Sequence, residues 1–121
     1  MIFEFVRAAH DNLRRVKELL RKEPRLVKAS WNWGCGDWET AQGAAGHMGN
    51  KEALEFLLSE GAEMDIFCAA TLGKVEVVEP LVATCPELAK ARGPHGIPLI
   101  EHARAGEQDE MVELLRYYGA A

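Results

Sequence analysis

The amino-acid sequence predicts an all-α fold of four helix–turn–helix units, and two observations lead to that prediction. The first is the stretch Thr40–Gly61, which has the pattern of two short antiparallel helices separated by Met48-Gly49-Asn50. The second is that the same spacing recurs, because a small residue stands eleven positions before a leucine four times. These residue pairs are Ala9 and Leu20, Gly46 and Leu57, Ala70 and Leu81, and Ala103 and Leu114. Helix pairs this short cannot bury their own apolar faces, so neighbouring pairs are expected to cover one another.

Apolar periodicity and local stop signals define the helices in chain order. The predicted helices of the first, second and fourth units are 2–11, Leu13–Lys22, Thr40–His47, Lys51–Ser59, Leu99–Ala105 and Asp109–Tyr118. In the third unit, Asp65 is expected to cap the inner helix. Pro80 lies inside the outer helix of that unit and removes a backbone donor, so a kink or a late helix start is expected there.

At these positions the chain resembles the ankyrin-repeat family, whose pattern runs G-x-T-P-L-H-x-A-A-x-x-G-H, then V-V-x-L-L-L-x-x-G-A. The matching residues are Thr40, Ala45, Gly49, Phe56-Leu57-Leu58 and Gly61-Ala62 in the second unit, and Pro98-Leu99, Ala103, Gly106, Leu114-Leu115 and Gly119-Ala120 in the fourth. Gly73 and Gly106 stand one ankyrin period of about 33 residues apart. The second unit departs from the family, because Ala41-Gln42-Gly43 replaces Pro-Leu-His.

The resemblance implies a single ankyrin-repeat solenoid over residues 1–121, with units at about 1–36, 37–64, 65–94 and 95–121. It also implies irregular, short β-turn fingers between units. Two long connections, Ser30–Glu39 and Arg92–Pro98, are rich in glycine and should project on the same side. The distance from Gly49 to Gly73 is shorter than one period, so the finger between the second and third units is expected to be missing.

Composition restricts the classes of partner and compartment. The net charge is −5, which argues against nucleic acid as the main partner, because phosphate binding requires clustered lysine and arginine. No apolar run reaches the roughly 18–20 residues of a membrane span. The three cysteines are widely spaced and cannot all pair, which fits a reducing compartment, so we expect a cytoplasmic protein. We expect a monomer, with a weak dimer through the carboxy-terminal end as the alternative.

The sequence contains no recognisable catalytic motif. An activated cysteine or histidine needs a partner within hydrogen-bond reach, and no spacing places one. Cys68 is expected in the core, and Cys35 is expected to be the one exposed thiol. No two histidines or cysteines have the short spacing of structural zinc sites. We therefore expect no enzymatic activity, no catalytic residue, no metal site and no cofactor.

The ankyrin resemblance instead implies protein binding on the concave side, through the projecting fingers and the ends of the inner helices. All three tryptophans lie in the first long connection, and tryptophan is a frequent anchor of interfaces. The residues expected to contact a protein partner are Trp31, Trp33, Trp38, Glu39, His47, Met48, Thr71, Leu72, His95, Arg104, His10 and Asp11.

Two other interpretations of the tryptophans remain open at this point. They could pack onto the helices as anchors for a long loop. Alternatively, Trp33, Trp38, His47 and His95 could form a pocket for a small-molecule sensor or a minor enzyme. Exposed tryptophans near His47 would favour protein recognition, whereas a closed cavity with converging polar groups would favour a ligand site.

Overall fold

A computed structural model describes residues 1–121, which form eight α-helices and one two-stranded antiparallel sheet. The helices are α1 (Ile2–Asp11), α2 (Leu13–Lys22), α3 (Ala41–His47), α4 (Lys51–Ser59), α5 (Ile66–Thr71), α6 (Val75–Thr84), α7 (Leu99–Ala105) and α8 (Asp109–Tyr117). The strands β1 (Ser30–Asn32) and β2 (Trp38–Thr40) lie between α2 and α3. The expected all-α class is therefore confirmed apart from this small sheet. None of the eight helices is both long enough and apolar enough to cross a lipid bilayer.

Consecutive helices pack as four pairs, and the first helix of each pair packs against the first helix of the next. In addition, α3 contacts α7, so the second pair touches the fourth directly. The Lys51 ammonium supports this contact by donating a hydrogen bond of 3.2 Å to the carbonyl of Gly106. A strictly linear array has contacts between neighbouring repeats alone, and this chain departs from that rule.

Side-chain caps explain where several of the short helices begin. Asn12, Thr40, Asn50 and Asp65 each accept a hydrogen bond from the backbone amide three residues later. Such caps satisfy amide groups that have no partner within the helix. The cap predicted at Asp65 is thus confirmed.

The core combines small residues on the inner helices with leucines on the outer ones. Ala45 and Ala69 are fully buried and let the inner helices approach closely, while Leu54 and Leu57 are fully buried beneath them. Cys68 is also buried, as expected for a small apolar side chain. Cys35 is exposed, as predicted. The prediction that it would be the one exposed thiol is wrong, because Cys85 is exposed as well.

Pro80 does not delay its helix. Helix α6 begins at Val75, five residues before the proline, and continues to Thr84. The expected late start is therefore wrong. Pro80 and Glu76, the residue four positions earlier, are both exposed. The lost hydrogen bond falls on the solvent side of the helix, where water can replace it.

Two fingers follow the first and third helix pairs, each after a short 3₁₀ turn (Pro24–Lys28 and Pro86–Lys90). The first finger is the β1–β2 hairpin. The second contains an isolated bridge between Arg92 and Pro98 and a tight turn at Pro94–Gly96. As predicted, the connection between α4 and α5 contains no strand, and the two fingers lie on the same side. Because no finger separates them, β2 contacts the turn of the second finger.

Candidate functional site

Four side chains from four separate segments converge where the two fingers meet. His10 lies at the end of α1, Glu39 in β2, His47 at the end of α3, and His95 in the turn of the second finger. One nitrogen or oxygen atom of each residue lies within 4.8 Å of those of the other three. Glu39 is 1% exposed, so a carboxylate occupies the buried centre of this arrangement, which we call the His/Glu cluster.

Helix packing brings two of the histidines together. His10 and His47 occupy the last turn of the inner helix in the first and second pairs. Because α1 packs against α3, their rings lie 5.0 Å apart, edge to face. The equivalent ends of two stacked helices therefore supply half of the cluster.

The hairpin register directs Glu39 into the cluster. Trp31 pairs with Glu39 across the sheet, and Asn32 pairs with Trp38. Directly paired residues project on the same face, and neighbours along a strand project on opposite faces. Glu39 therefore shares a face with Trp31, and Trp38 lies on the other face of the hairpin.

Asp37 fixes the third histidine. His95 has a φ of +61°, a left-handed conformation that is uncommon for a residue with a side chain. Its backbone amide donates to Asp37 Oδ1 at 2.8 Å, and its Nδ1 lies 2.7 Å from Asp37 Oδ2. These two contacts hold the turn in a strained conformation and direct the other ring nitrogen toward Glu39.

The imidazole nitrogens approach Glu39 closely, but they do not form ordinary hydrogen bonds with it. His47 Nε2 lies 2.9 Å from Oε2, and the Nε2 atoms of His10 and His95 lie 3.3 Å from Oε1 and Oε2 respectively. Glu39 Oε2 and His47 Nε2 are nevertheless buried without a hydrogen-bond partner. The one aligned donor is the Trp33 indole, whose Nε1 donates to Glu39 Oε1 at 2.9 Å.

The outer contacts fix the tautomers of two histidines. His10 Nδ1 lies 3.0 Å from the carbonyl of Val6 and 3.1 Å from that of Arg7. A carbonyl oxygen can only accept, so His10 Nδ1 carries a proton. The same reasoning applies to His95 Nδ1 beside the ionised Asp37. In their neutral forms, both rings therefore present the lone pair of Nε2 to the cluster.

The cluster is strongly polarised. Burial opposes ionisation of Glu39, but contacts from His10, His47 and Trp33 outweigh it and lower the pKa of Glu39 to about 2. The contact with Glu39 raises the pKa of His10 against the effect of burial. The backbone amide of His95 is the main cause of the lowered pKa of Asp37. Two ionised carboxylates thus lie within this small region.

Aromatic rings cover the outer side of the cluster. Trp33 lies 6.2 Å from His10 and 5.8 Å from His95, measured between ring centroids. Phe3 lies 5.4 Å from Trp31 and 5.7 Å from Trp33. We call Phe3, Trp31 and Trp33 the aromatic surface.

The residues expected to contact a partner fall into different environments. The structure brings together His10, Trp31, Trp33, Glu39, His47 and His95. Trp38, Met48 and Asp11 are exposed elsewhere, while Leu72 and Arg104 are half-buried. Glu39 and Thr71 need a correction, because both are buried and no partner could touch them. Thr71 instead donates its hydroxyl to the carbonyl of Gly46 at 2.9 Å.

Sequence reasoning missed Asp37 and Phe3. Asp37 stands two positions before Glu39, and this spacing on an extended segment would have placed both on one face. Phe3 belongs to the first helix, but it points away from the core and is 44% exposed. No signal in the sequence indicated that the amino-terminal helix would reach the tryptophan finger.

The fourth histidine, His102, lies outside the cluster and is fully buried beside Phe67. Burial lowers the pKa of His102, so the folded protein binds fewer protons there than the unfolded chain does below about pH 6.5. The buried histidine therefore lowers the free energy of unfolding as the pH falls.

We expect His102→Leu to become more stable relative to wild type as the pH falls from about 7.5 to about 5, because the variant has no buried histidine to protonate. Urea unfolding at a series of pH values measures this, and parallel pH profiles for the two proteins would contradict it.

None of the five surface cavities is lined by a residue of the His/Glu cluster. The polar groups of the cluster converge, but they leave no space for an organic molecule. The proposed small-molecule pocket between Trp33, Trp38, His47 and His95 therefore lacks a cavity, and Trp38 lies on the far face of the hairpin.

Chemically, the His/Glu cluster offers imidazole nitrogens and one buried carboxylate, and it contains no cysteine. Such a set can share protons or bind a cation. Searches for similar proteins found no match among protein-family models, curated proteins or solved structures.

Proposed function

We propose that the protein is an ankyrin-type array that binds a protein partner through the aromatic surface formed by α1 and the first finger. The observation that carries this proposal is the exposure of three rings in mutual contact. Phe3, Trp31 and Trp33 are 44%, 36% and 37% exposed, although each touches another ring of the group. Clustered exposed aromatic residues are typical of interaction surfaces.

The packing of the rings supports recognition rather than mere anchoring. A loop anchor would be expected to bury its tryptophans against the core, but Trp31 and Trp33 keep more than a third of their surface in solvent. Because the rings hold one another in place, little side-chain entropy would be lost on binding. Trp38 and Met48 are also exposed, at 59% and 51%, but they lie outside the aromatic surface.

Several features support the ankyrin-type repeat itself. The inner helices pack on one another in chain order, and their small residues lie in the core. Gly49 and Gly73 end the inner helices of the second and third pairs with positive φ values of 68° and 70°. The direct contact between α3 and α7 is a departure from a regular array of this kind.

The expected occupant is a protein segment with apolar side chains. A nucleic acid would be repelled by the net charge of −5. None of the five surface cavities is lined by Phe3, Trp31 or Trp33, so the rings offer a surface rather than a pocket. Apolar side chains of a partner protein would cover these rings. The backbone of the same partner could form hydrogen bonds with the polar groups around the rings.

Trp31→Ala tests this proposal, because Trp31 makes no side-chain hydrogen bond and Trp33 does. Crosslinking in lysate of the native host would identify the partner, and titration calorimetry with the purified partner would measure affinity. We expect Trp31→Ala to weaken binding about 30-fold, the effect of losing an interface anchor.

The matched control is Tyr117→Ala, which removes an aromatic ring that is 82% exposed on the last helix. It should bind the partner like wild type. Circular dichroism checks that both variants fold. Equal affinities for wild type and Trp31→Ala would overturn the aromatic surface as the binding site.

A further inference from the structure

We propose that the His/Glu cluster binds one divalent transition-metal ion, with zinc as the expected occupant. The ligands are the Nε2 atoms of His10, His47 and His95 and the carboxylate of Glu39. This inference does not depend on protein recognition, because metal binding can be measured on the isolated chain.

Hydrogen-bond acceptors face one another in the His/Glu cluster. His10 and His95 use Nδ1–H for outer contacts, so their neutral rings direct Nε2 lone pairs at an ionised carboxylate. Glu39 Oε2 and His47 Nε2 are buried without a hydrogen-bond partner, although they lie 2.9 Å apart. A buried polar atom without a partner is costly. A cation at the centre would satisfy all four groups at once.

The distances between the ligand atoms are close to those of a tetrahedral zinc site. Zinc bonds to nitrogen and oxygen at about 2.0–2.1 Å, so ligand atoms of a tetrahedral site lie about 3.3 Å apart. The distances from the three Nε2 atoms to the nearest carboxylate oxygen are 2.9, 3.3 and 3.3 Å. The widest separation in the cluster is no more than 4.8 Å. An ion would need to draw that pair together by no more than about 1.5 Å.

The outer contacts of the cluster residues also resemble those of metal sites. Histidine ligands of metals usually donate their second nitrogen to a carboxylate or a backbone carbonyl. His95 meets Asp37 in this way, and His10 meets the carbonyl of Val6. The Trp33 indole supports the carboxylate ligand in turn. The contacts that orient ligands in metal sites are therefore already present around the cluster.

Charge balance points to a divalent ion. Glu39 and Asp37 contribute two negative charges to a region whose histidines are neutral when they act as ligands. One divalent cation brings the total to zero. Three imidazole nitrogens disfavour calcium and magnesium, which prefer oxygen ligands, and favour zinc and its neighbours in the first transition series.

Four protein ligands fill the coordination of zinc, which is the arrangement of structural sites. The ion would join α1, β2, α3 and the second finger, four segments spread between residues 10 and 95. The ion would hold the two fingers against the helix ends and stabilise the hairpin that carries Trp31 and Trp33. The alternative is that the cluster binds no metal and that its histidines and Glu39 share protons instead.

Calorimetric titration of chelator-treated protein with zinc chloride tests the proposal. We expect one site with a dissociation constant of about 1 µM or tighter and a rise in Tm on zinc addition. Cobalt(II) should give the visible d–d bands of a tetrahedral site without the near-ultraviolet absorption of thiolate ligands. Glu39→Gln and His95→Ala should each weaken zinc binding by more than about 100-fold, and Asp37→Asn by about 10- to 100-fold.

The controls address sites elsewhere on the chain. Glu113→Gln changes an exposed carboxylate, and Cys35→Ser with Cys85→Ser removes the exposed thiols; all should bind zinc like wild type. Wild-type protein that takes up no zinc or cobalt would overturn the proposal and favour the proton-filled cluster. Unchanged affinity in folded Glu39→Gln or His95→Ala would also overturn it. If Glu39→Gln fails to fold, His95→Ala in the exposed turn and the cobalt spectrum of wild type still decide the question.

Discussion

Replacing Gly49 by alanine is expected to lower the free energy of unfolding by about 2–5 kcal/mol, because two unfavourable terms add. Gly49 has a φ of +68°, and a side chain in this left-handed conformation costs about 1–2 kcal/mol. A Cβ atom at this position would also lie 2.2 Å from the carbonyl oxygen of Ala105 and 2.8 Å from its carbon. Overpacking against rigid backbone adds about 1–3 kcal/mol, since no rotamer change can relieve it.

Gly61→Ala is the matched control for this prediction. Gly61 also has a positive φ, +103°, but a Cβ there would meet no atom within 4 Å. It should therefore lose the conformational term alone, about 1–2 kcal/mol. Urea unfolding followed by far-ultraviolet circular dichroism measures both variants. If Gly49→Ala is no less stable than Gly61→Ala, the second and fourth helix pairs do not meet at Gly49 and Ala105.

Local sequence signals were sufficient to place the helices. Lys51–Ser59 and Leu99–Ala105 have the bounds that their apolar spacing and flanking residues predict. Asp65 caps its helix as expected, because a cap needs an acceptor and an amide three residues away. The signals that set these bounds lie within one or two turns of each helix end, so they can be read from the sequence, although helices this short are stable only when packed.

The His/Glu cluster could not be found in that way. Its ligand atoms belong to segments whose separation is not encoded in any short spacing, and His95 reaches Glu39 only because the two fingers touch. The contact between the fingers depends on two features of the fold. The repeat spacing predicted the first, the missing finger between α4 and α5, but it did not predict the second, the approach of α3 to α7. Glu39 was expected on a surface that faces a partner, but the hairpin register turns its side chain inward. A glycine-rich sequence does not specify that register, so the inward orientation could not be predicted.

The position of the His/Glu cluster also assigns a different role to each tryptophan. Residue type alone allowed each tryptophan to be an anchor, a hot spot or part of a pocket. In the structure, one hairpin separates these roles: Trp33 supports the buried carboxylate, Trp31 contributes to an exposed surface, and Trp38 lies on the opposite face. Protein recognition and metal binding would therefore use the same face of one finger, where Trp31 is exposed and Glu39 is buried. The partner-affinity measurement on Trp31→Ala and the zinc titration still test them separately.

Leu57→Ala is expected to destabilise the protein by about 2–5 kcal/mol, the cost of lost burial together with the cavity that remains. Leu57 is fully buried on α4, in the part of the core that also contains Ala45 and Leu54. Leu81 occupies the equivalent position of the third unit but is 42% exposed, which makes Leu81→Ala a matched control with an expected loss below about 1 kcal/mol. Urea unfolding compares the two. A loss below about 0.5 kcal/mol for Leu57→Ala would mean that this leucine does not belong to the core, since surface substitutions have effects of that size.

Leu57 and Leu81 have the same place in the repeat pattern. A large difference between the two variants in the free energy of unfolding would therefore show that packing between helix pairs, rather than the pattern itself, determines which positions stabilise the fold.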